Sequence, residues 1–227
     1  REGGERGRVG VEVVEALASF GRMLTLGEPP QKGMANADRT VKALCHALVQ
    51  RKQHSALVIG PPGTGKSALV YEFSRLLMGG SSLIPERLRD HDVFELSPIF
   101  LRSGASYVGQ YDERVSGLLK VLKAHPKVIL FVDEAHSMFQ SGMDHRNPFT
   151  DANEAFKQAI MNGEITVIGC TTTAEYRHYI KPDAALDERF TKVTIEEPSP
   201  EETKAIMHAR RPSMENFYGV SIPEELV

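Results

Sequence analysis

The sequence has few of the features that mark secreted, membrane-spanning or disulfide-stabilised proteins. Its 227 residues include no tryptophan and only two cysteines. Cys45 lies in an apolar helical pattern and Cys170 in an apolar strand pattern, which predicts two buried thiols rather than a disulfide or a metal site. No apolar run reaches the length of a membrane span, and the N-terminus has no apolar signal core. We therefore expect a cytoplasmic or other intracellular protein that makes no membrane contact.

Neither sign of charge dominates the chain. The 27 basic and 30 acidic residues leave a net charge of −3, and 41% of the residues are apolar. A chain of this balance has no electrostatic reason to bind nucleic acid, so we expect no nucleic-acid partner. Its length suits one large domain or one and a half.

One stretch has residue types that suit phosphate binding better than packing. Residues 60–67, GPPGTGKS, match the pattern G-x-x-x-x-G-K-[ST] without a mismatch, between an apolar strand pattern and a helical pattern. Glycines let consecutive N–H groups point inward at the positive end of the helix, where ATP phosphates bind. A glycine-rich turn with a surface lysine is the alternative. The predicted ATP-binding residues are Gly60, Pro61, Pro62, Gly63, Thr64, Gly65, Lys66 and Ser67, with Lys66 on the β- and γ-phosphates and Ser67 on Mg²⁺.

Short apolar runs alternate with helical patterns along the chain. This order predicts an α/β fold with a five-stranded parallel sheet flanked by helices. The predicted strands are Ser55–Ile59, Val93–Leu96, Val128–Val132, Ile165–Thr171 and Lys192–Ile195. The main helices are expected at 11–26, from a cap at Asn36 or Asp38, from Ser67, and at 111–125, 151–161 and 174–180, with a last one opened by residues 198–202.

An acidic pair follows the most apolar of these strands. Asp133 and Glu134 come directly after Val128–Val132, at the carboxyl end where parallel sheets bind ligands. Successive residues point in different directions, so the two carboxylates can have different roles. We expect Asp133 to hold Mg²⁺ and Glu134 to orient and deprotonate the attacking water. A solvated acidic turn is the alternative.

Several blocks, in the right order, resemble the AAA+ ATPases, and within them the first ATPase module of the Clp protein-remodelling chaperones (the ClpA, ClpB and ClpC type). The resemblance runs from Val14 to the C-terminus. It implies a P-loop NTPase that works in a ring oligomer, a hexamer, and threads a polypeptide substrate through the pore, with a protease or an adaptor as candidate partners. The blocks are VILFVDEAH at 128–136, SGASYVGQYDER at 103–114, DANEAFKQAIMNGEITVIGC at 151–170 and TTAEYRHYIKPDAALDERF at 172–190.

The same resemblance implies roles for three further residues. Tyr107 matches the pore-loop aromatic that grips substrate, Thr172 matches the polar sensor of the γ-phosphate, and Arg189 matches an arginine finger delivered to a neighbouring subunit. The residue types alone leave other interpretations open. The tyrosine suits a loop aromatic folded on its own domain, the threonine a β-branched strand residue, and the arginine an ion pair with an adjacent carboxylate.

Two features depart from the family pattern. Where the family has two consecutive arginines, this chain has Glu188 before Arg189, so hydrolysis is expected to rest on Arg189 alone or to be slow. The chain also stops where the family's helical lid begins. The expected organisation is a disordered or linker segment at 1–10, a helix and loop at 11–35, a large nucleotide-binding domain at 36–220 and the start of a truncated lid at 221–227.

The leading hypothesis is therefore a Mg-ATP-dependent module of a protein-remodelling machine. A nucleotide-gated scaffold with vestigial hydrolysis is an alternative, because Glu188 would repel phosphates. A DNA-directed AAA+ ATPase such as a clamp loader is a second alternative. The mildly acidic balance and the Tyr107 loop count against it.

Overall fold

The computed structural model describes residues 9–27, 37–51, 53–97, 108–139 and 150–224. Its strands are β1 Gly21–Met23, β2 Ser55–Ile59, β3 Asp92–Leu96, β4 Val128–Val132, β5 Thr166–Thr171 and β6 Phe190–Thr194. The longer helices are α1 Val11–Leu17, α2 Asp38–Leu48, α3 Lys66–Met78, α4 Val108–Ala124, α5 Thr150–Met161 and α6 Pro200–Tyr218. Single helical turns span Glu86–Leu88, His136–Phe139, Thr173–Glu175, Tyr176–Ile180 and Ala184–Asp187.

The strands form one sheet in the order β1-β3-β4-β5-β2-β6. The five adjacent strands β3, β4, β5, β2 and β6 run parallel to one another, while β1 pairs antiparallel with β3 at the edge of the sheet. The predicted α/β class and the five parallel strands are thus confirmed. The predicted number of strands in the sheet is too low by one, because the described sheet has a sixth, antiparallel strand and is therefore mixed.

The sixth strand lies in a segment predicted as helix over 11–26. The helix α1 ends at Leu17, and Gly21 pairs with Leu96. A Cβ atom at Gly21 would collide with the backbone carbonyl of Glu95, so only glycine allows this close approach. The helical spacing of apolar residues in the sequence conceals this turn and the short edge strand that follows it.

Both faces of the sheet are covered, as the unbroken apolar runs predict. Every residue of β2 and β4 is buried. Along β2, Leu57 belongs to a cluster with α4 and α5, while Ala56 and Val58 belong to a second cluster with α2 and α3. Cys45 and Cys170 are both buried, unpaired thiols in this second cluster, as predicted, and burial raises the pKa of Cys45 to about 11.

Several element boundaries differ from the prediction. The helix α4 begins at Val108 rather than at 111, and β6 begins at Phe190, which pairs with Ser55, rather than at Lys192. The predicted cap at Asp38 is wrong, because this residue is already helical and follows Ala37 without a side-chain cap. The helix predicted at 174–180 divides into an α-turn and a π-helical turn.

Some predictions lie outside the described residues. These are the cap at Asn36, the pore-loop Tyr107 and residues 1–8 of the expected linker segment. Within the described ranges, no helix combines the length and the apolar character that crossing a bilayer requires.

The last helix, α6, differs from the others because none of its residues is buried. It is stabilised locally by a capping box between Ser199 and Glu202 and by an ion pair between Arg211 and Glu215. Large apolar side chains are nevertheless exposed at and after its C-terminal end. Phe217 is 81% exposed and Tyr218 is 67% exposed.

A buried carboxylate ties the N-terminal segment to β3. Asp92 is 1% exposed and accepts hydrogen bonds from the Thr25 hydroxyl at 2.7 Å and from the Val9 N–H at 3.0 Å. The Thr25 oxygen also accepts from the Val93 N–H at 3.1 Å. One hydroxyl therefore satisfies two buried groups.

Replacing that hydroxyl should destabilise the domain. In Thr25→Val, a backbone N–H and a carboxylate oxygen lose their partner at nearly constant side-chain volume, so we expect a loss of about 1–3 kcal/mol in the free energy of unfolding. Urea denaturation followed by circular dichroism measures the loss. The exposed Thr194→Val is the matched control, and equal stability of the two variants would contradict the assignment.

Candidate functional site

The predicted phosphate loop connects β2 to α3. Gly63 and Gly65 have φ angles of 78° and 88°, a left-handed region that other residues rarely adopt. A Cβ atom at Gly60 would clash with the carbonyl oxygen of Ile195 at the end of β6. Three glycines of the motif are thus required by backbone geometry. Gly65 precedes α3 without any side-chain cap, so the first-turn N–H groups have no side-chain acceptor competing for them.

The polar side chains of the loop converge on its own carbonyls. The Lys66 ammonium donates to the carbonyl oxygens of Gly60 and Pro61, at 3.1 and 2.8 Å. The Thr64 hydroxyl also donates to the Pro61 oxygen, at 2.9 Å. The lysine thus lies over the same loop whose N–H groups would receive phosphate. A positive charge and a nest of N–H donors at one helix N-terminus suit a polyphosphate.

The two predicted halves of the site meet in a side-chain hydrogen bond. The Ser67 hydroxyl, in the first turn of α3, donates to Asp133 Oδ2 at 2.6 Å. The second oxygen, Asp133 Oδ1, accepts from the Glu134 N–H at 3.0 Å. A hydroxyl and a carboxylate in contact beside a phosphate loop are the oxygen ligands that Mg²⁺ uses together with substrate phosphates. The residues present therefore fit this metal.

Glu134 has an uncommon backbone conformation. Its φ angle is 51°, and no other non-glycine residue in the described ranges has a positive φ. The turn is fixed on both sides, since the Ala135 N–H donates to the Cys170 carbonyl at 2.8 Å and the Ser137 N–H to the Glu134 carbonyl at 2.9 Å. The Glu134 side chain is exposed and forms no hydrogen bond or ion pair with a described residue. Strained residues of this kind cluster at functional sites.

The predicted sensor, Thr172, follows β5, the strand between β2 and β4. Its hydroxyl accepts from the Glu175 N–H at 3.2 Å and its backbone N–H donates to Glu175 Oε2 at 3.0 Å, which forms a capping box. The hydroxyl also donates to Glu175 Oε2, at 2.8 Å. Burial raises the pKa of Glu175, but the hydrogen bonds from Thr172 and the nearby His136 outweigh it, so the net pKa is lowered. Sequence reasoning missed Glu175, although the T-x-x-E spacing could have revealed it.

Arg189 does not join the other predicted residues. Strands β2 and β6 are parallel and in register, with Ser55 opposite Phe190 and Ile59 opposite Thr194. Arg189 precedes β6 and therefore lies at the opposite end of the sheet from the phosphate loop, roughly 20 Å away along the strand at 3.3 Å per residue. It cannot reach the phosphate loop of its own chain.

The alternative interpretation of Arg189, an ion pair with a neighbouring carboxylate, does not describe its environment. Asp187 is engaged by the Lys192 ammonium at 2.9 Å and by the Tyr176 hydroxyl at 3.0 Å. Among the described residues the Arg189 guanidinium has no partner, and both it and Glu188 are exposed. Position and exposure leave this arginine available to another molecule.

The sequence profile of the ATPase family associated with various cellular activities (AAA) matches residues 56–196, which span β2 to the end of β6. The chain belongs to the AAA family. The matched residues include the phosphate loop, the acidic turn, Thr172 and Arg189.

Relatives within the AAA family are Clp-type chaperones, which confirms the resemblance seen in the sequence. The chaperone protein ClpB of Mycoplasma pneumoniae is 36% identical over 186 residues, covering 82% of this chain and 26% of the relative. ClpB of Staphylococcus aureus is 34% identical over 215 residues, covering 92% of this chain and 24% of the relative. This chain thus spans about a quarter of the length of the curated relatives it matches.

Solved structures of AAA proteins agree with these relatives. The Hsp104–ADP complex of S. cerevisiae superposes with a TM-score of 0.80 at 29% identity, covering 92% of this chain and 35% of that chain. An extended Hsp104–casein complex superposes with a TM-score of 0.77 at the same identity and the same coverage. The α/β P-loop fold is therefore shown by independent evidence.

The backbone strain at Glu134 can be measured apart from catalysis. Glu134→Gly and Glu134→Ala both remove the carboxylate, but only glycine adopts a φ of 51° without strain. We expect the glycine variant to be more stable to urea by about 1 kcal/mol. The same pair at Glu113, which is exposed within α4, should give the opposite order, because glycine weakens a helix. If the glycine and alanine variants had the same order of stability at both positions, backbone strain at Glu134 would be refuted.

Proposed function

We propose that this chain is a Mg-ATP-hydrolysing module of a Clp-type protein-remodelling machine. The observation that carries the proposal is the 2.6 Å hydrogen bond between Ser67 and Asp133, which joins the phosphate loop to the acidic turn. Membership of the AAA family and the ClpB and Hsp104 likenesses support the same activity. Two free buried thiols suit a reducing compartment such as the cytoplasm.

The residues of the phosphate loop bind and orient the nucleotide. The N–H groups of Gly63, Thr64 and Gly65 would face the phosphates, and Lys66 would exchange its contacts with two backbone carbonyls for contacts with the β- and γ-phosphates. Ser67 and Asp133 would hold Mg²⁺, which would supply positive charge beside the phosphates.

Glu134 is the proposed general base. Its exposed carboxylate has no partner among the described residues, so it is available to accept a proton from a water molecule. The fixed turn and the left-handed backbone orient it relative to Asp133, which faces Ser67. Thr172, at the end of the strand between the two motifs, reads the γ-phosphate.

Arg189 is proposed to act on the site of a neighbouring subunit. Its place at the far end of the sheet from its own phosphate loop supports action in trans, which requires an interface with a neighbouring copy. We propose a hexamer that moves polypeptide through its centre, with Tyr107 as the contact and a protease or an adaptor as further partners. The Hsp104–casein complex supports a polypeptide substrate by likeness.

A nucleotide-gated scaffold is the second candidate, and Glu188 is the observation that favours it. This carboxylate is exposed beside Arg189 and would bring negative charge towards the phosphates of a neighbour. Assembly that depends on ATP, combined with negligible turnover of the wild-type protein, would support this candidate over the motor.

The proposed base is tested by Glu134→Gln, which keeps the size of the side chain and removes the proton acceptor. We expect ATP hydrolysis to fall by about 10²–10⁴-fold. Binding of ATP should remain, because the phosphate loop and the Mg²⁺ ligands are unchanged. Phosphate release and equilibrium binding of a fluorescent ATP analogue measure the two properties. The exposed Glu86→Gln is the control, and full activity of Glu134→Gln would remove Glu134 from the mechanism.

Action in trans is tested by mixing two inactive variants of the assembled protein. Arg189→Ala should lower turnover by about 10³-fold or more, as the loss of an arginine finger does. Lys66→Ala should abolish nucleotide binding at its own site. Mixed rings contain interfaces at which an intact Lys66 site faces an intact Arg189, so mixing should restore part of the activity. A double variant that carries both substitutions should restore none when mixed with Arg189→Ala. Absence of recovery in the first mixture would contradict the proposed geometry.

A further inference from the structure

We propose that Glu175 competes with the γ-phosphate of bound ATP for the hydroxyl proton of Thr172, and so weakens the binding of ATP relative to ADP. The proposal rests on the proposed function, in which Thr172 reads the γ-phosphate. It gives this chain an internal carboxylate that sets how strongly the sensor responds.

One carboxylate oxygen accepts hydrogen bonds from three polar groups at the end of β5. Glu175 Oε2 accepts from the Thr172 N–H at 3.0 Å and from the Thr172 hydroxyl at 2.8 Å. The hydroxyl of Thr171, which is buried, donates to the same oxygen at 3.3 Å. Both threonine hydroxyls therefore have their protons directed to Glu175.

A hydroxyl has only one proton to donate, and phosphate oxygens only accept. Thr172 can therefore bind the γ-phosphate only after its proton leaves Glu175 Oε2. Hydrogen bonds to an ionised carboxylate are about twice as strong as those between neutral groups. Binding of ATP breaks such a bond, whereas ADP has no γ-phosphate and leaves it intact. The hydrogen bond from the Thr172 hydroxyl to Glu175 thus lowers the affinity for ATP without lowering the affinity for ADP.

A second partner for the released carboxylate lies within reach. His136 Nδ1 is 3.2 Å from Glu175 Oε2, and the nitrogen is buried without a well-directed hydrogen bond in the described part of the chain. The imidazole stacks on Tyr179 with ring centroids 5.7 Å apart. His136 begins the helical turn directly after the acidic turn. When the Thr172 hydroxyl turns to the phosphate, an Nδ1–H of this ring can donate a hydrogen bond to Glu175 Oε2 in its place.

The test compares affinities for ADP and for a non-hydrolysable ATP analogue, measured with Mg²⁺ by isothermal titration calorimetry. Glu175→Gln replaces the carboxylate by a weaker, neutral acceptor and should raise the preference for the ATP analogue over ADP by about three- to tenfold. Removal of a negative charge would also favour ATP without the hydroxyl. The double variant Glu175→Gln, Thr172→Ala separates the two causes. Compared with Thr172→Ala alone, it should show no gain in the preference for the ATP analogue, because the hydroxyl is absent from both.

Two further variants sharpen the comparison. His136→Phe keeps a ring against Tyr179 but removes the second partner, so the preference for the ATP analogue should fall below that of the wild type. Glu202→Gln changes the equivalent glutamate of the other capping box, at Ser199. It should leave the preference unchanged and should resemble Glu175→Gln in thermal stability.

The outcomes separate this inference from the function on which it rests. If Thr172→Ala alone leaves the ratio of affinities unchanged, the threonine is no sensor, and both its proposed role and this inference fail. If Thr172→Ala lowers the preference for the ATP analogue but Glu175→Gln weakens both nucleotides equally, Glu175 is a helix cap only, and this inference alone is overturned.

Discussion

The hydrogen bond between Ser67 and Asp133 is the interaction on which the site depends. It joins residues 66 positions apart, and it forms because β2 and β4 both lie beside β5 and run in the same direction. The loops that follow parallel strands must emerge at one edge of the sheet, so the topology brings a hydroxyl and a carboxylate together. The two fully buried strands hold this arrangement, since a shift of one residue in the register would move every side chain into the cluster on the opposite face.

The parts of the site that depend on local sequence could be predicted, and those that depend on register could not. The phosphate loop and Asp133 follow unbroken apolar runs, which indicate their strands directly. The edge strand β1 could not be predicted, because its pairing requires that Gly21 approach β3 more closely than any other residue could. The position of Arg189 follows from the pairing of Ser55 with Phe190, a contact between residues far apart in the sequence.

Under the proposed function, the two ends of the sheet serve different sites, one in the chain itself and one in a neighbour. The carboxyl end carries the phosphate loop, the acidic turn and the threonine with its glutamate partner. The residue before β6 is an arginine that has no partner among the described residues, and it stands beside a glutamate of opposite charge. The proposed nucleotide contacts and the proposed contact with a neighbour are thus separated by the length of one strand.

The exposed end of α6 has a consequence for handling the isolated chain. Phe217 and Tyr218 form an exposed apolar patch of the kind that favours association between copies. No residue of their helix is buried to hold the helix against the domain. A net charge of −3 supplies weak repulsion between copies. We therefore expect turbidity and light scattering at high protein concentration to depend on the helix that contributes least to the core.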